Sequence, residues 1–259
     1  MPFADLSDIR LHYSLTGPDS APVLVLSNSL GANFSMWDPQ LAAFSSRYRL
    51  LRYDTRGHGR SAATPGPYNI ELLANDVLHL LDALHLDRVH FCGLSMGGQT
   101  GIWLAQNAPQ RIHKLILCNT GAKIGALETW NARIDAVLAR GMKDVSSVVI
   151  GRWFTPDFAA QHPDVVAKTK SMLESANPQG YASCCAAVRD FDARETLSSI
   201  SLPTLVVAGS HDLATPPADG RYLAETIPGA RYTEFHAAHL SNIEAAPHFT
   251  PEVEKFLSA

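Results

Sequence analysis

Short apolar, β-branched runs alternate with helical patterns along most of this chain, and few folds satisfy that alternation. Runs buried on both faces, each followed by an amphipathic helix, form a mostly parallel twisted sheet with helices on both faces. Strands are expected at residues 9–15, 23–26, 50–53, 89–93, 115–118, 205–208 and 232–235. Residues 70–86 give the clearest helix: Leu73, Val77, Leu80, Leu81 and Leu84 share one face, and Asn69 stands at the N-cap position. The alternation lapses from Gly121 to Ser201. There the pattern is helical only, over 128–140, 143–153, 163–175 and 178–190, before strands resume at Pro203. An α/β core of residues 1–120 and 202–259, with 121–201 as a helical cap over one sheet edge, follows from that reading. A chain of 259 residues is long enough to bury such a core as one domain.

Composition narrows the function. A formal net charge of −4, spread along the chain, offers no surface for nucleic acid or an anionic membrane. No apolar stretch reaches the roughly 18 residues that span a bilayer. The first ten residues carry two aspartates and no apolar segment, so they do not read as a secretory signal. Four cysteines stand without metal-ligand spacing, Cys92 and Cys118 in expected buried strands and Cys184 and Cys185 side by side in an expected helix. Reduced thiols in a cytoplasmic protein without a metal fit that usage.

Chemistry enters at Gly93-Leu94-Ser95-Met96-Gly97. A serine alcohol is a weak nucleophile at neutral pH and needs a base in reach and an open approach. This pentapeptide lies where an apolar strand must turn sharply into a helix ending before Pro109, and its glycines leave room for a strained serine to project its side chain. The Met96 amide then opens that helix, where unpaired N–H groups favour a developing negative charge. A structural glycine-rich turn is the alternative.

A serine nucleophile needs a histidine base and an acid that fixes its tautomer, on loops beyond the carboxyl ends of later strands. Asp212 follows the strand at 205–208, and His239 follows the strand at 232–235. His236 is the nearest rival of His239, and Asp190 and Asp192 are weaker competitors of Asp212. A second oxyanion donor is expected in the loop Ser27-Asn28-Ser29-Leu30-Gly31, with the Leu30 amide best placed, against the reading of an ordinary strand-end turn. The glycine-dense Asp54-Thr55-Arg56-Gly57-His58-Gly59-Arg60-Ser61 lacks the Gly-Lys-Ser/Thr of a phosphate loop and reads as a tight turn braced by Asp54 and Arg56.

With these residues in hand, the whole chain resembles the α/β-hydrolase superfamily. The likeness rests on the 54–61 turn, Gly93–Gly97, residues 209–212, and His239 followed by Glu244 and Pro247. A narrower resemblance is to bacterial 3-oxoadipate enol-lactonases. It rests on residues 27–31, Asn119-Thr120-Gly121-Ala122-Lys123-Ile124-Gly125, Trp130-Asn131-Ala132-Arg133-Ile134, Arg152-Trp153-Phe154-Thr155 and Ala237-Ala238-His239-Leu240-Ser241-Asn242-Ile243-Glu244. Asn28-Ser29 replaces the superfamily's common His-Gly, and Ala238 its usual glycine; both are normal for enol-lactonases.

The resemblance implies hydrolysis of a small lactone that carries a carboxylate, in aromatic degradation, with no cofactor. A homo-oligomer is compatible with it. Such a substrate needs a cation in the cap, and a guanidinium clamps a carboxylate with two parallel bonds. Arg133, three residues after Trp130 on one helix, is the first candidate and Arg152 beside Trp153 the second, although helix arginines are usually solvated. Trp130 and Trp153 are expected to wall the pocket, although large aromatics more often serve packing, and Ser29 is a further candidate for binding substrate. A general carboxylesterase, a cofactor-free perhydrolase or a carbon–carbon bond hydrolase would use the same triad, whereas a dehalogenase would need aspartate in place of Ser95. A small-ligand sensor on a hydrolase scaffold is the non-enzymatic alternative.

Overall fold

A computed structural model describes residues 2–259; Met1, at the head of the N-terminal stretch considered above, lies outside them. The strands β1 (Phe3–Asp5), β2 (Arg10–Thr16), β3 (Val23–Ser27), β4 (Arg49–Tyr53), β5 (Val89–Leu94), β6 (Ile112–Cys118), β7 (Thr204–Gly209) and β8 (Arg231–Phe235) form one sheet. Their order is β1-β2-β4-β3-β5-β6-β7-β8. β1 and β2 pair antiparallel at one edge, and every pairing from β4 to β8 is parallel. The carboxyl ends of β3, β5, β6, β7 and β8 therefore share one rim. Each strand expected from the pattern is present; β1 is an addition.

Successive strand residues feed opposite faces of the sheet. Leu24, Leu26, Cys92, Leu94, Ile116 and Cys118 join one apolar cluster, while Val25, Phe91, Leu115 and Leu117 join the other. Helices α1 (Asp38–Arg47), α2 (Ile70–Ala83) and α3 (Met96–Asn107) cover the sheet from the first half of the chain. Asn69 caps α2 by accepting the Leu72 amide at 2.7 Å. Val77 and Ile102 bury on the second face, and Phe44 on the first.

Between β6 and β7 come α4 (Leu127–Arg140), α5 (Met142–Trp153), α6 (Pro156–Gln161), α7 (Pro163–Glu174) and α8 (Pro178–Asp190), with no strand among them. Proline opens α6, α7 and α8, where its missing N–H costs nothing, and Thr155 and Asn177 cap α6 and α8. The first apolar cluster continues from the sheet into this helical cap through Trp130, Val149, Trp153 and Tyr181. The chain closes with α9 (Pro217–Thr226), α10 (Ser241–Glu244) and α11 (Ala246–Ser258). Among the described residues no helix is long and apolar enough to cross a membrane, and no cluster of three or more His, Cys, Asp or Glu side chains suits a metal ion. All four cysteines are buried and unbridged.

Candidate active site

Ser95 sits between β5 and α3 with φ 58° and ψ −115°, a backbone state that L-residues avoid and that costs of order 1–3 kcal/mol. Its neighbours enforce it. The Ser95 amide donates to the Cys118 carbonyl at 2.9 Å, its carbonyl accepts the Thr120 hydroxyl at 2.7 Å, and the Gly97 amide donates to the Asn28 carbonyl at 3.1 Å. Only glycine fits on either side: a Cβ on Gly93 would lie 2.1 Å from the Gly97 carbonyl oxygen, and one on Gly97 would lie 2.4 Å from that of Ser27.

The acid and the imidazole meet at the same rim. Asp212 follows β7 and accepts from Nδ1 of His239 at 2.8 Å, with both side chains buried. Its other oxygen takes the amides of Ala214 and Thr215 at 2.8 and 3.0 Å. The Thr215 hydroxyl and the Asn119 amide reach the His-facing oxygen at 2.7 and 2.9 Å. Burial pushes the Asp212 carboxyl up, but the facing His239 and these donors outweigh it and hold the group below the usual carboxylate range. An ionised Asp212 fixes the ring with its proton on Nδ1 and leaves Nε2 to accept.

Ser95 and His239 line one cavity, which is walled by Ser29, Leu30, Trp130, Arg133, Arg152, Trp153 and Tyr181 among others. The structure thus gathers every expected side chain around one space, with Asp212 behind His239 and the Met96 amide at the start of α3. Neither the Leu30 nor the Met96 amide finds an acceptor among the described residues. His236 instead packs edge-on against His211 at 4.3 Å between centroids, while Asp190 and Asp192 pair with Arg189 and Arg194. A larger cleft of about 540 Å³ lies between α6, α7 and residues 243–247, but it holds neither Ser95 nor His239.

The cap supplies cations without counter-ions. Ion pairs within the cap join Arg140 to Asp144, Lys170 to Glu174, Arg189 to Asp190 and Arg194 to Asp192; Arg133 and Arg152 have none among the described residues. The Arg133 guanidinium lies 4.8 Å over the Trp130 ring, and the Trp130 indole N–H is anchored on the Ile124 carbonyl at 2.7 Å.

Several residues with no role in the sequence reading complete the site. Asn119, at φ 43°, donates to Asp212 and to the Ala238 carbonyl while accepting from Ser241. Thr215 and Glu244 hold the acid and the histidine loop. The signal for Asn119 was its place just past the carboxyl end of a strand, the rim where such sheets put their polar groups. The 54–61 turn is braced as expected. Arg56 forks onto Asp76 at 2.8 and 2.5 Å, and Asp54 binds Nδ1 of His12 at 2.7 Å and the amides of Phe34 and Arg60.

A mostly parallel sheet with a strained serine at one strand end, and with acid and histidine following later strands in that order, defines a class. The chain belongs to the α/β-hydrolase fold family, whose model matches residues 22–246. Within that family it is an enzyme of the enol-lactonase group. It is 43% identical to 3-oxoadipate enol-lactonase 2 of Acinetobacter baylyi over 95% of this chain and 92% of that one. It is 42% identical to 3-oxoadipate enol-lactonase 1 of the same organism, over 92% and 90%. The crystal structure of an enol-lactonase from Burkholderia xenovorans LB400 superimposes with a TM-score of 0.98 at 48% identity, covering both chains completely.

Proposed function

We propose that this enzyme hydrolyses 3-oxoadipate enol-lactone to 3-oxoadipate, a step of bacterial aromatic degradation in the cytoplasm, through an acyl-enzyme on Ser95. Residues 121–201 act as the cap that selects the substrate, over a core of 1–120 and 202–259. One observation carries the reading: two guanidinium groups without carboxylate partners share a cavity with Ser95 and His239. That cavity suits an acyl compound that brings its own carboxylate.

Nε2 of His239 takes the proton of Ser95 as Oγ adds to the lactone carbonyl carbon. The tetrahedral oxyanion is met by the Leu30 and Met96 amides, each worth about 3 kcal/mol when preorganised. Collapse breaks the ring C–O bond and expels the enolate oxygen, which takes the proton from His239 and tautomerises to the ketone. The leaving group stays tethered to the acyl chain. Water, giving a proton to His239, then adds to the acyl carbon; the acyl C–Oγ bond breaks to release the acid, and Ser95 Oγ takes the proton back from His239. Arg133 and Arg152 hold the substrate's own carboxylate beside Trp130 and Trp153, and Ser29 lines the same cavity. Neither metal nor organic cofactor enters these steps.

Loss of enol-lactone absorbance, followed beside an aryl ester, tests the reading. The lactone should be preferred by at least about tenfold in kcat/KM, and Ser95→Ala should lower its turnover by about 10³-fold or more. Equal use of both compounds would leave a general esterase. Substantial turnover by the variant would remove Ser95 as nucleophile.

A further inference from the structure

The Met96 amide is aimed by the helix it opens, whereas Leu30 lies in an irregular loop. The two peptide planes that flank the Leu30 Cα are nevertheless both pinned. On one side the Ser29 carbonyl accepts the Ala32 amide at 3.1 Å. On the other the Gly31 amide donates to Nε2 of His58 at 2.9 Å.

His58 comes from the turn after β4, is 1% exposed, and does not line the cavity of Ser95. A ring nitrogen that accepts an N–H carries no proton, so the ring's proton must sit on Nδ1. Nδ1 faces the Arg56 carbonyl at 3.2 Å, and a carbonyl can only accept. Both contacts therefore select one neutral tautomer. The Cys184 thiol at 3.9 Å from Nδ1 and the Tyr181 ring, 6.3 Å away between centroids, close the ring in from α8.

We propose that His58 is a positioning residue for the oxyanion hole: its neutral imidazole holds the Leu30–Gly31 peptide through Nε2 and so fixes the far side of the Leu30 Cα, while the Ser29 carbonyl fixes the near side that bears the Leu30 N–H, and together they keep that amide aimed at the reacting oxygen without His58 touching substrate. The inference rests on the assignment of Ser95 as nucleophile and of Leu30 and Met96 as oxyanion donors. Burial pushes the His58 imidazole below its ordinary range against the opposing pulls of the Arg56 carbonyl and the Asp54 charge, which keeps Nε2 unprotonated at neutral pH. A ring that merely filled space would need no particular nitrogen at Gly31.

Three substitutions separate these roles. His58→Gln carries an acceptor oxygen to about the reach of Nε2, His58→Asn is polar but too short, and His58→Leu fills the space with no acceptor. With the enol-lactone as substrate, kcat should fall on the order of 10- to 100-fold in the Asn and Leu variants while KM stays within about twofold. The Gln variant should recover kcat to within about threefold of the parent. An unchanged kcat in His58→Asn, or a loss in His58→Gln equal to that in His58→Asn, overturns the proposal. If His58→Leu fails to fold, the Asn and Gln pair decides. Nitrogen-15 shifts of the ring in the intact enzyme should report a proton on Nδ1 from pH 6 to 8, and a proton on Nε2 would overturn it as well. Ser95→Ala run beside the series keeps the two readings apart. If that variant is dead and His58→Asn is unimpaired, only the role of His58 fails; if Ser95→Ala stays active, the mechanism beneath it fails.

Discussion

A half-buried guanidinium that lines the cavity of Ser95 and His239, with no carboxylate of the protein to neutralise it, is an unsatisfied position that a substrate can fill. Arg133 meets that description, and the Trp130 ring beneath it limits its rotamers without quenching its charge. A charge-assisted bidentate pair contributes about 1.5–3 kcal/mol. Arg133→Met, which keeps the length and loses the charge, should therefore lower kcat/KM for the anionic lactone by about 10- to 100-fold and that for a neutral aryl ester by no more than about threefold. Equal losses on both compounds would make Arg133 a packing residue. At this scale the sequence discloses groups that chemistry confines to strand ends. Ser95 announces itself by the glycines that its strained turn requires, and Asp212 and His239 by following later strands. It does not disclose pairings that exist only in space. Gly31 and His58 lie 27 residues apart, and Asn119 and Asp212 lie 93 apart, with no local pattern linking either pair.

A helix that buries a continuous apolar face is the easiest element to read in the sequence. α2 buries seven of its residues and reads clearly as a helix, whereas α1 buries only Gln40 and Phe44 and carries little periodic signal. β1 is three residues long, and its antiparallel pairing with β2 makes it an element. Within β5, the strand that delivers Ser95, His90 is an exception to the apolar run. Its ring packs against Tyr48 and His113, and its Nδ1 is buried without a partner. Burial first, then the charges of His113, Lys114 and Arg88, push its pKa down to about 4. The unfolded chain, with an ordinary imidazole near 6.5, binds the proton more readily across that interval, so the neutral ring's contribution to stability is complete above about pH 6.5 and declines as pH falls towards 4. His90→Phe should abolish that slope. In denaturant titrations the parent should lose about 2 kcal/mol more than the variant between pH 7 and pH 4.5. Parallel losses in the two proteins would show that His90 does not drive the acid sensitivity of the strand.

Across the whole molecule, the cap and the sheet meet at the loop that carries His239. The Leu240 amide donates to the Trp153 carbonyl at 3.0 Å, so the residue after the histidine is tied to an aromatic wall of the cavity. Glu244 doubles the tie. Its carboxylate accepts the Ala238 amide at 2.9 Å and the Thr155 amide at 3.3 Å, and also the Thr155 hydroxyl that caps α6. One half-buried side chain thus serves the residue before the histidine and the start of a cap helix together. Removing it leaves two backbone donors without their acceptor, at about 1–3 kcal/mol each where water cannot replace it. Glu244→Ala should lower Tm by roughly 5–10 °C, and Glu244→Gln, which retains an acceptor oxygen, by less than half as much. The functional consequence separates a tie from a brace. If cap and histidine move as one body, Glu244→Ala should raise KM for the lactone and lower kcat together, at a temperature where circular dichroism shows the variant fully folded. A change confined to KM would mean that the cap shifts while His239 keeps its aim, held by the remaining bond from the Leu240 amide to the Trp153 carbonyl.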